Sequence, residues 1–277
     1  MIELSILKEF ISICQEHKLR YYAIGGTALG ALRHQGFIPW DDDIDVSMPR
    51  DDYNKFYEIV SKRGNDFYGV TTIETQENQM PPIIKFIDKR ITIFSKLDTK
   101  TKHRLNPYID IFPMDGLPNN RILRYFHVRR FLVYRRFLLF SAFDRLVERG
   151  IKNKALPLHK RFFVWFFDKI NIQRFFSRKR MAFKGDKVLK KYNFYKQNFC
   201  SPQLWGNYKT KAVFPSEWFD DGKFLLFEDV QVLVPSHIEK YLGQLYGSDY
   251  MELPPVSKRI SHSWEIEMEG DACDDEI

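Results

Sequence analysis

The fold of this chain is decided between residues 20 and 48, which read RYYAIGGTALGALRHQGFIPWDDDIDVSM. The largely apolar run 20–24 predicts a short buried strand that ends at Gly25 and Gly26. A glycine turn between a strand and a helix presents free backbone N–H groups, which can hold a phosphate group. Glycine pairs are also common in ordinary turns. The turn Gly25-Gly26-Thr27 is therefore a candidate substrate-binding site only if other functional residues accompany it.

A helix and a second strand are predicted to follow this turn. Thr27 is predicted to N-cap the helix, which continues to about His34 and stops at Gly36. Residues 43–48 then alternate polar and apolar side chains, as a half-buried strand does.

The second predicted strand carries the acidic residues that indicate chemistry. Side chains two positions apart share a face of a strand, so Asp43 and Asp45 point the same way. Asp41 immediately precedes this strand. Neighbouring carboxylates repel unless a cation lies between them, and hard oxygen ligands favour Mg²⁺ or Mn²⁺ over zinc. The three residues are therefore candidate metal ligands, although an isolated Asp-x-Asp string also suits a solvated turn.

A third acid lies in the apolar strand predicted over residues 108–112. Asp110 is a candidate third metal ligand or general base, because an acid among buried residues needs a partner. The alternative is a structural acid whose buried carboxylate accepts hydrogen bonds from the backbone. Together, Asp43, Asp45 and Asp110 predict a metal-dependent phosphoryl-transfer site.

The rest of the chain predicts an α+β fold with a mixed sheet. A helix over 51–62 is expected to precede strands near 67–74, 82–88 and 91–94, together with 108–112. Further along, 224–227 and 230–234 form a candidate hairpin, and Ser236 is predicted to N-cap a helix through Tyr246.

Turn residues and charge divide the chain into predicted segments. Pro113–Pro118 has the composition of a turn, and Asp115 within it is expected to be a cap rather than a catalyst. The predicted segments are a catalytic core over 1–118, a basic aromatic helical insertion over 119–200, a part that completes the core over 201–264, and an acidic disordered tail over 265–277.

The net charge of +7 conceals a strong asymmetry. Residues 121–191 contain 21 Lys or Arg against 4 Asp or Glu. Ten aromatic side chains accompany them and predict a module that binds an anionic membrane surface: Phe126, Phe131, Phe137, Phe140, Phe143, Phe162, Phe163, Trp165, Phe166 and Phe167. The alternative is a helical subdomain whose aromatic side chains pack inward.

Cysteine usage and the first residues indicate the compartment. The three cysteines contain no Cys-x-x-Cys pair, which argues against a disulfide framework or a thiolate zinc site. The first residues do not resemble a signal peptide, because acidic residues interrupt the apolar stretch. We therefore expect a cytoplasmic protein, peripheral to the inner face of the cell membrane.

Several blocks of the sequence resemble the LicD family, which shares its acid pattern with the nucleotidyltransferase superfamily. The opening block is Gly26–Val46, and the second is Ile109–Gly116. The resemblance returns in Phe227-Glu228, Tyr246–Met251 and Leu253–Pro255, followed by His262. It spans about Tyr21 to His262, with the basic middle segment its least diagnostic part.

The resemblance implies a nucleotidyltransferase-like core and a phosphotransferase. Family members move phosphocholine or a related phospho-alcohol from a CDP-linked donor, such as CDP-choline, to a sugar hydroxyl. The implied acceptors are glycans of lipopolysaccharide, teichoic acid or capsule, including lipid-linked forms, and the related fukutin group moves ribitol phosphate. Asp43 and Asp45 would bind Mg²⁺ or Mn²⁺, and Asp110 would complete the site.

Weaker candidates and rival functions remain at this stage. Arg33 and Lys85 are candidates to neutralise a diphosphate, and His262 to touch substrate, although each also suits a surface or structural role. One rival is a nucleotidyltransferase with an NTP donor, which would release pyrophosphate. The other is a nucleic-acid-binding protein that uses the basic segment, but no nucleic-acid motif accompanies that charge, and we expect no nucleic-acid partner.

Overall fold

A computed structural model describes most of the chain. The described residues are 2–41, 43–76, 79–95, 104–143, 165–167, 169–256, 259 and 264–267. Phe162, Phe163 and His262, all named above, lie outside them, as does Asp42. Within them the predicted α+β class is confirmed, because a mixed sheet is flanked by helices.

The predicted helices and strands occur in the predicted order, together with further short strands. The helices are α1 (Ile2–Glu16), α2 (Gly25–Arg33), α3 (Arg50–Lys62), α4 (Arg121–Ser141), α5 (Arg178–Leu189) and α6 (Ile238–Tyr246). The first strands are β1 (Tyr22–Ala23), β2 (Asp45–Pro49), β3 (Tyr68–Thr71), β4 (Ile84–Asp88), β5 (Thr92–Ser95), β6 (Arg104–Leu105) and β7 (Tyr108–Leu117). The later ones are β8 (Phe199–Ser201), β9 (Phe214–Pro215), β10 (Lys223–Phe227), β11 (Val230–Val234) and β12 (Trp264–Glu267).

The main sheet has the order β1-β2-β7-β4-β3 and is mixed. Strands β2 and β7 run parallel, whereas the other pairs are antiparallel. The second half of β7 also pairs with β8, which pairs with β9. The predicted hairpin is confirmed as β10–β11, and β5 pairs with both β6 and β12.

The two faces of the central strands differ in chemistry. Val46, Ile111 and Ile84 are register partners on β2, β7 and β4, and all three are buried. Helix α3 covers this apolar face, where Phe56 packs against Phe86 with ring centroids 5.4 Å apart. The opposite face of the same strands is left for polar side chains.

Two predicted helix caps are wrong. Helix α2 begins at Gly25 rather than after Thr27, and the first helical N–H is donated to the Tyr241 hydroxyl at 2.9 Å. The Thr27 hydroxyl instead accepts the Asp45 backbone N–H at 2.9 Å. Ser236 does not cap α6, because its hydroxyl donates to the Trp218 carbonyl.

The predicted turn over Pro113–Pro118 is also wrong, because β7 continues through Leu117. Gly116 is explained by close packing instead of by a turn: a Cβ there would lie 2.4 Å from the Asn193 carbonyl oxygen. The proposed disorder of the tail is corrected at its start, since 265–267 belong to β12, while 268–277 lie outside the described residues.

In the described part of the chain, no helix is both long and apolar enough to cross a bilayer. Helix α4 has sufficient length at 21 residues, but arginines interrupt its apolar positions.

Candidate active site

Two of the predicted acids lie side by side at one end of the sheet. Asp45 begins β2 and is the register partner of Asp110 on the parallel strand β7. Lys85 on β4 is the register partner of Asp110 on its other side. Register partners on neighbouring strands share a face, so Asp45, Asp110 and Lys85 form one polar row across three strands, and we call its two acids, with Asp41 and Asp43 leading into β2, the acidic row.

Lys85 and Asp110 form an ion pair within this row. The Lys85 ammonium donates to Asp110 Oδ1 at 2.8 Å, and both side chains are largely buried. The ammonium also lies 3.2 Å from the centroid of the Tyr108 ring. Burial raises the pKa of Asp110, the Lys85 charge opposes that rise, and the nearby Asp43 carboxylate adds to it.

Asp45 is the most strongly perturbed acid of the row. Burial raises the pKa of its carboxyl well above the usual value, and repulsion from Asp43, Asp110 and Asp41 raises it further. The Asp43 carboxylate thus acts on both Asp45 and Asp110. Such a cluster is stabilised by a cation.

The donor set fits Mg²⁺ or Mn²⁺ in its chemistry, since the candidate ligands are carboxylates. Among the described residues, however, no three Asp, Glu, His or Cys side chains are already gathered as a metal site. Lys85 supplies the positive charge next to Asp110 in this structure. Metal binding by Asp41, Asp43, Asp45 and Asp110 therefore stays a prediction.

The glycine turn lies directly against these acids. Gly25 has a left-handed backbone with φ +57°, and a Cβ there would come within 3.4 Å of Asp45 Oδ2. A Cβ at Gly26 would lie 2.3 Å from Asp41 Oδ2. Thr27 ties the turn to β2 through the Asp45 N–H. The turn, the N-terminus of α2 and the acids thus form one site.

Three tyrosines of the site were missed by the sequence analysis. The Tyr241 hydroxyl accepts from Gly25 N–H and from the Gln203 side chain at 3.1 Å. The Tyr208 hydroxyl donates to the Tyr246 hydroxyl at 2.8 Å. Burial raises the pKa of all three, and Asp45 raises it further in each case. Only Tyr246 had a sequence signal, since it begins one of the blocks that resemble the family.

Arg33 reaches the C-terminal part of the chain rather than the acids. Its guanidinium donates to the carbonyl oxygens of Tyr250 at 2.8 Å and Glu252 at 3.0 Å. These contacts attach the end of α2 to the segment that follows α6. His262, the remaining substrate-binding candidate, lies outside the described residues.

Asp115 is neither a cap nor part of the acidic row. It lies buried on β7 and accepts two hydrogen bonds from Arg50, at 2.8 and 2.5 Å. Arg50 also contacts Asp186 on α5 at 3.0 Å. This ion-pair network joins α3, β7 and α5 and has a structural role.

Comparison with known proteins identifies the family. Residues 18–137 match the family model described as LicD/FKTN/FKRP, nucleotidyltransferase domain. The lipopolysaccharide cholinephosphotransferase LicD of Haemophilus influenzae is 31% identical over 266 residues, which cover 95% of this chain and 93% of that protein. The chain belongs to the LicD family. The prediction of a phosphotransferase of this family is confirmed.

The matched regions coincide with the site. The family model contains the glycine turn, the acids and Lys85, whereas the three tyrosines fall only within the longer match to the Haemophilus relative. Uncharacterized proteins of Rickettsia typhi and Rickettsia prowazekii are 36% and 38% identical over 55 residues. Those matches cover 20% of this LicD-family chain and 18% and 21% of the relatives, and they add no functional information.

Proposed function

We propose that this LicD-family enzyme transfers phosphocholine from CDP-choline, or a related phospho-alcohol from another CDP-linked donor, to a sugar hydroxyl of lipopolysaccharide or a comparable cell-surface glycan. CMP is the second product. The end-to-end likeness to a lipopolysaccharide cholinephosphotransferase carries this proposal. The acidic row on β2 and β7 supports it, because its carboxylates suit a metal-bound diphosphate.

The residues of the row have distinct proposed roles. Asp41, Asp43 and Asp45 would hold Mg²⁺ or Mn²⁺, which would supply positive charge for the donor diphosphate. Asp110 accepts the proton of the attacking sugar hydroxyl, and its raised pKa brings it closer to the pH at which it works. Lys85 keeps Asp110 oriented and ionised through the 2.8 Å ion pair.

The glycine turn supplies the position for the transferred phosphate. The N-terminus of α2 lies against Asp41 and Asp45, and a helix N-terminus beside a metal site suits a phosphate group. Tyr241 fixes this helix end through its hydrogen bond with the Gly25 N–H. Arg33, at the other end of α2, holds the segment after α6 against the site.

We also propose that the enzyme works at the inner face of the membrane. The described aromatic side chains of the basic segment range from buried to exposed, and Phe137, Phe140 and Phe167 are half-buried. Phe131 and Phe143 are buried, and Phe131 packs against Trp205 with centroids 4.7 Å apart. Phe126, Trp165 and Phe166 are exposed. The exposed group beside the basic residues suits an anionic surface, whereas the buried group joins the segment to the core.

Product analysis tests the transfer reaction. Purified protein and Mg²⁺ would be incubated with lipopolysaccharide and either CDP-choline, CDP-ribitol or CDP-glycerol, and CMP would be measured by chromatography. We expect acceptor-dependent CMP release with CDP-choline as the best donor. Pyrophosphate release from CTP, with no CMP from any of the CDP-linked donors, would instead establish the nucleotidyltransferase reaction.

A further inference from the structure

A basic groove lies between α4 and α5, away from the acidic row. Its volume is about 690 Å³. Gly116, near the end of β7, donates its backbone N–H to the carbonyl of Tyr192 in the groove wall at 3.0 Å. Asp110 lies six residues earlier on the same strand, which corresponds to about 20 Å. The groove is therefore separate from the proposed transfer site.

The charge of this α4–α5 groove is of one sign. Five cationic side chains line it, and no acidic side chain does: Arg130, Lys184, Lys187, Lys190 and Lys191. Lys190 is paired with Asp186 at 2.7 Å. Within the described part of the chain, Arg130, Lys184 and Lys187 have no carboxylate partner within ion-pair distance. Uncompensated like charges around one concave surface favour an anionic ligand.

A buried histidine in the groove wall also lacks a partner. His127 lies edge-on to Tyr192 with ring centroids 5.0 Å apart, and its Nε2 has no hydrogen-bond partner among the described residues. Burial, together with the charges of Lys191 and Arg130, lowers the pKa of His127 to about 4. The ring is neutral at pH 7, so one nitrogen can donate to an anion without carrying charge itself.

The rim of the groove is apolar and exposed. Leu123 and Phe126 line it, with 58% and 64% of their surfaces accessible. Ile122 and Tyr125 beside them on α4, and Phe183 on α5, are equally open. Large apolar side chains next to lysines and arginines are typical of helices that lie in a membrane interface.

We propose that the α4–α5 groove binds the phosphate of an anionic membrane lipid while Leu123 and Phe126 enter the adjoining acyl region. This inference deepens the proposed membrane location and depends on it. The cationic side chains of the groove neutralise the phosphate charge, and the apolar side chains of the rim contact the hydrocarbon chains. A nucleic-acid duplex would match the charge but leave the apolar rim in water.

Vesicle flotation with matched double variants tests the groove. The full chain would be floated with phosphatidylcholine vesicles that contain or lack phosphatidylglycerol. Lys184→Ala with Lys187→Ala removes two groove charges, and Lys55→Ala with Lys62→Ala removes two exposed charges from α3. At roughly 1 kcal/mol for each basic residue at an anionic surface, the groove variant should bind about 30-fold more weakly. The α3 variant should bind as wild type does. Equal losses in both variants, or no binding by the wild type, would overturn the inference.

A second pair of variants tests the apolar rim. Phe126→Ser should weaken binding even at high salt, where charge attraction is screened. Phe224→Ser, an equally exposed change on β10, should not. Binding of inorganic phosphate that depends on Lys184 and Lys187, by a wild-type chain that does not float with phosphatidylglycerol vesicles, would show a free-phosphate site and contradict the lipid proposal. So would duplex DNA binding that depends on Lys184 and Lys187 and exceeds vesicle binding.

The outcome can be separated from that of the proposed reaction. CMP release with a detergent-dispersed acceptor should be unchanged in the Lys184→Ala, Lys187→Ala variant. Loss of groove-dependent flotation with CMP release retained would remove this inference alone. Flotation retained without CMP release from any CDP-linked donor would remove the proposed reaction alone.

Discussion

At the scale of single residues, the proposed reaction depends on buried carboxylates that repel one another. Asp45 is the clearest case, because burial and three neighbouring acids all raise its pKa. We expect Asp43→Asn and Asp45→Asn each to fold and to lose roughly 100-fold or more of CMP release, the loss typical of removing a group that stabilises transition-state charge. Near-wild-type turnover in either variant, with native circular dichroism, would place the metal site elsewhere.

Replacement of Asp45 by Asn is expected to raise the free energy of unfolding in a pH-dependent way. The ordinary carboxyl pKa is 3.8, and that of folded Asp45 lies above it. The ionised form therefore destabilises the folded state as pH rises through the folded pKa. In metal-free buffer Asp45→Asn should be more stable than wild type at pH 7, and the difference should shrink as pH falls towards 4. Urea unfolding at both pH values measures this, and an Asn variant that is less stable at pH 7 would contradict it.

Lys85 gives a prediction for the pH profile of the reaction. Its charge holds the pKa of Asp110 below the value that burial alone would set. Lys85→Met should therefore shift the acid limb of the kcat/KM profile to higher pH, in addition to lowering its maximum. Lys89→Met, which removes an exposed contact with the Asn65 carbonyl, is the control. An unshifted acid limb in Lys85→Met would argue against Asp110 as the base.

At the scale of elements, the N-terminus of α2 must approach the acidic row closely. A Cβ at Gly26 would lie 2.3 Å from Asp41 Oδ2, so Gly26→Ala must displace that carboxylate. We expect at least a 10-fold loss of CMP release, comparable with mutations that disturb the support of metal ligands. Gly243→Ala on α6 meets open space and should stabilise the protein by about 0.5–1 kcal/mol with activity unchanged. Wild-type activity in Gly26→Ala would show that the turn does not constrain the site.

The ion pairs that join α3, β7 and α5 give a second prediction at this scale. Asp115→Ala would leave the buried Arg50 guanidinium with only Asp186, at a cost of about 3–5 kcal/mol. Glu239→Ala removes a surface pair with Lys223 and should cost at most about 1 kcal/mol. Urea unfolding compares the two variants, while CMP release per folded molecule should stay near wild type. A fall in turnover without a fall in stability would give Asp115 a catalytic role.

Local patterns predicted most elements but not where they pack. Alternation identified β2 and the β10–β11 hairpin, because side-chain period depends only on neighbours along the chain. The turn at Pro113–Pro118 was predicted wrongly, because contacts with distant segments determine the backbone conformation there. Gly116 leaves space for the Asn193 carbonyl, and Asp115 accepts a hydrogen bond from Arg50. Thr27 likewise serves a distant strand instead of its own helix.

At the scale of the whole molecule, the candidate site is assembled from both ends of the chain. Asp45 and Asp110 could be paired from sequence, because acids in apolar strands are conspicuous. The parallel register that places them side by side appears only in the folded sheet. Tyr241 carries no local signal and reaches the Gly25 N–H from 216 residues further along. Tyr208 carries none either, and its hydroxyl donates to that of Tyr246. Such contacts depend on tertiary packing.

We propose that the acidic row binds the metal ion that CMP release requires. One measurement tests this most directly. CMP formation from CDP-choline and lipopolysaccharide would be followed for wild type and Asp45→Asn, first in EDTA and then after addition of excess Mg²⁺. We expect wild type to be inactive in EDTA and restored by Mg²⁺, whereas Asp45→Asn stays inactive under both conditions. Equal CMP release by wild type in EDTA and in Mg²⁺, or full activity of Asp45→Asn, would contradict the account.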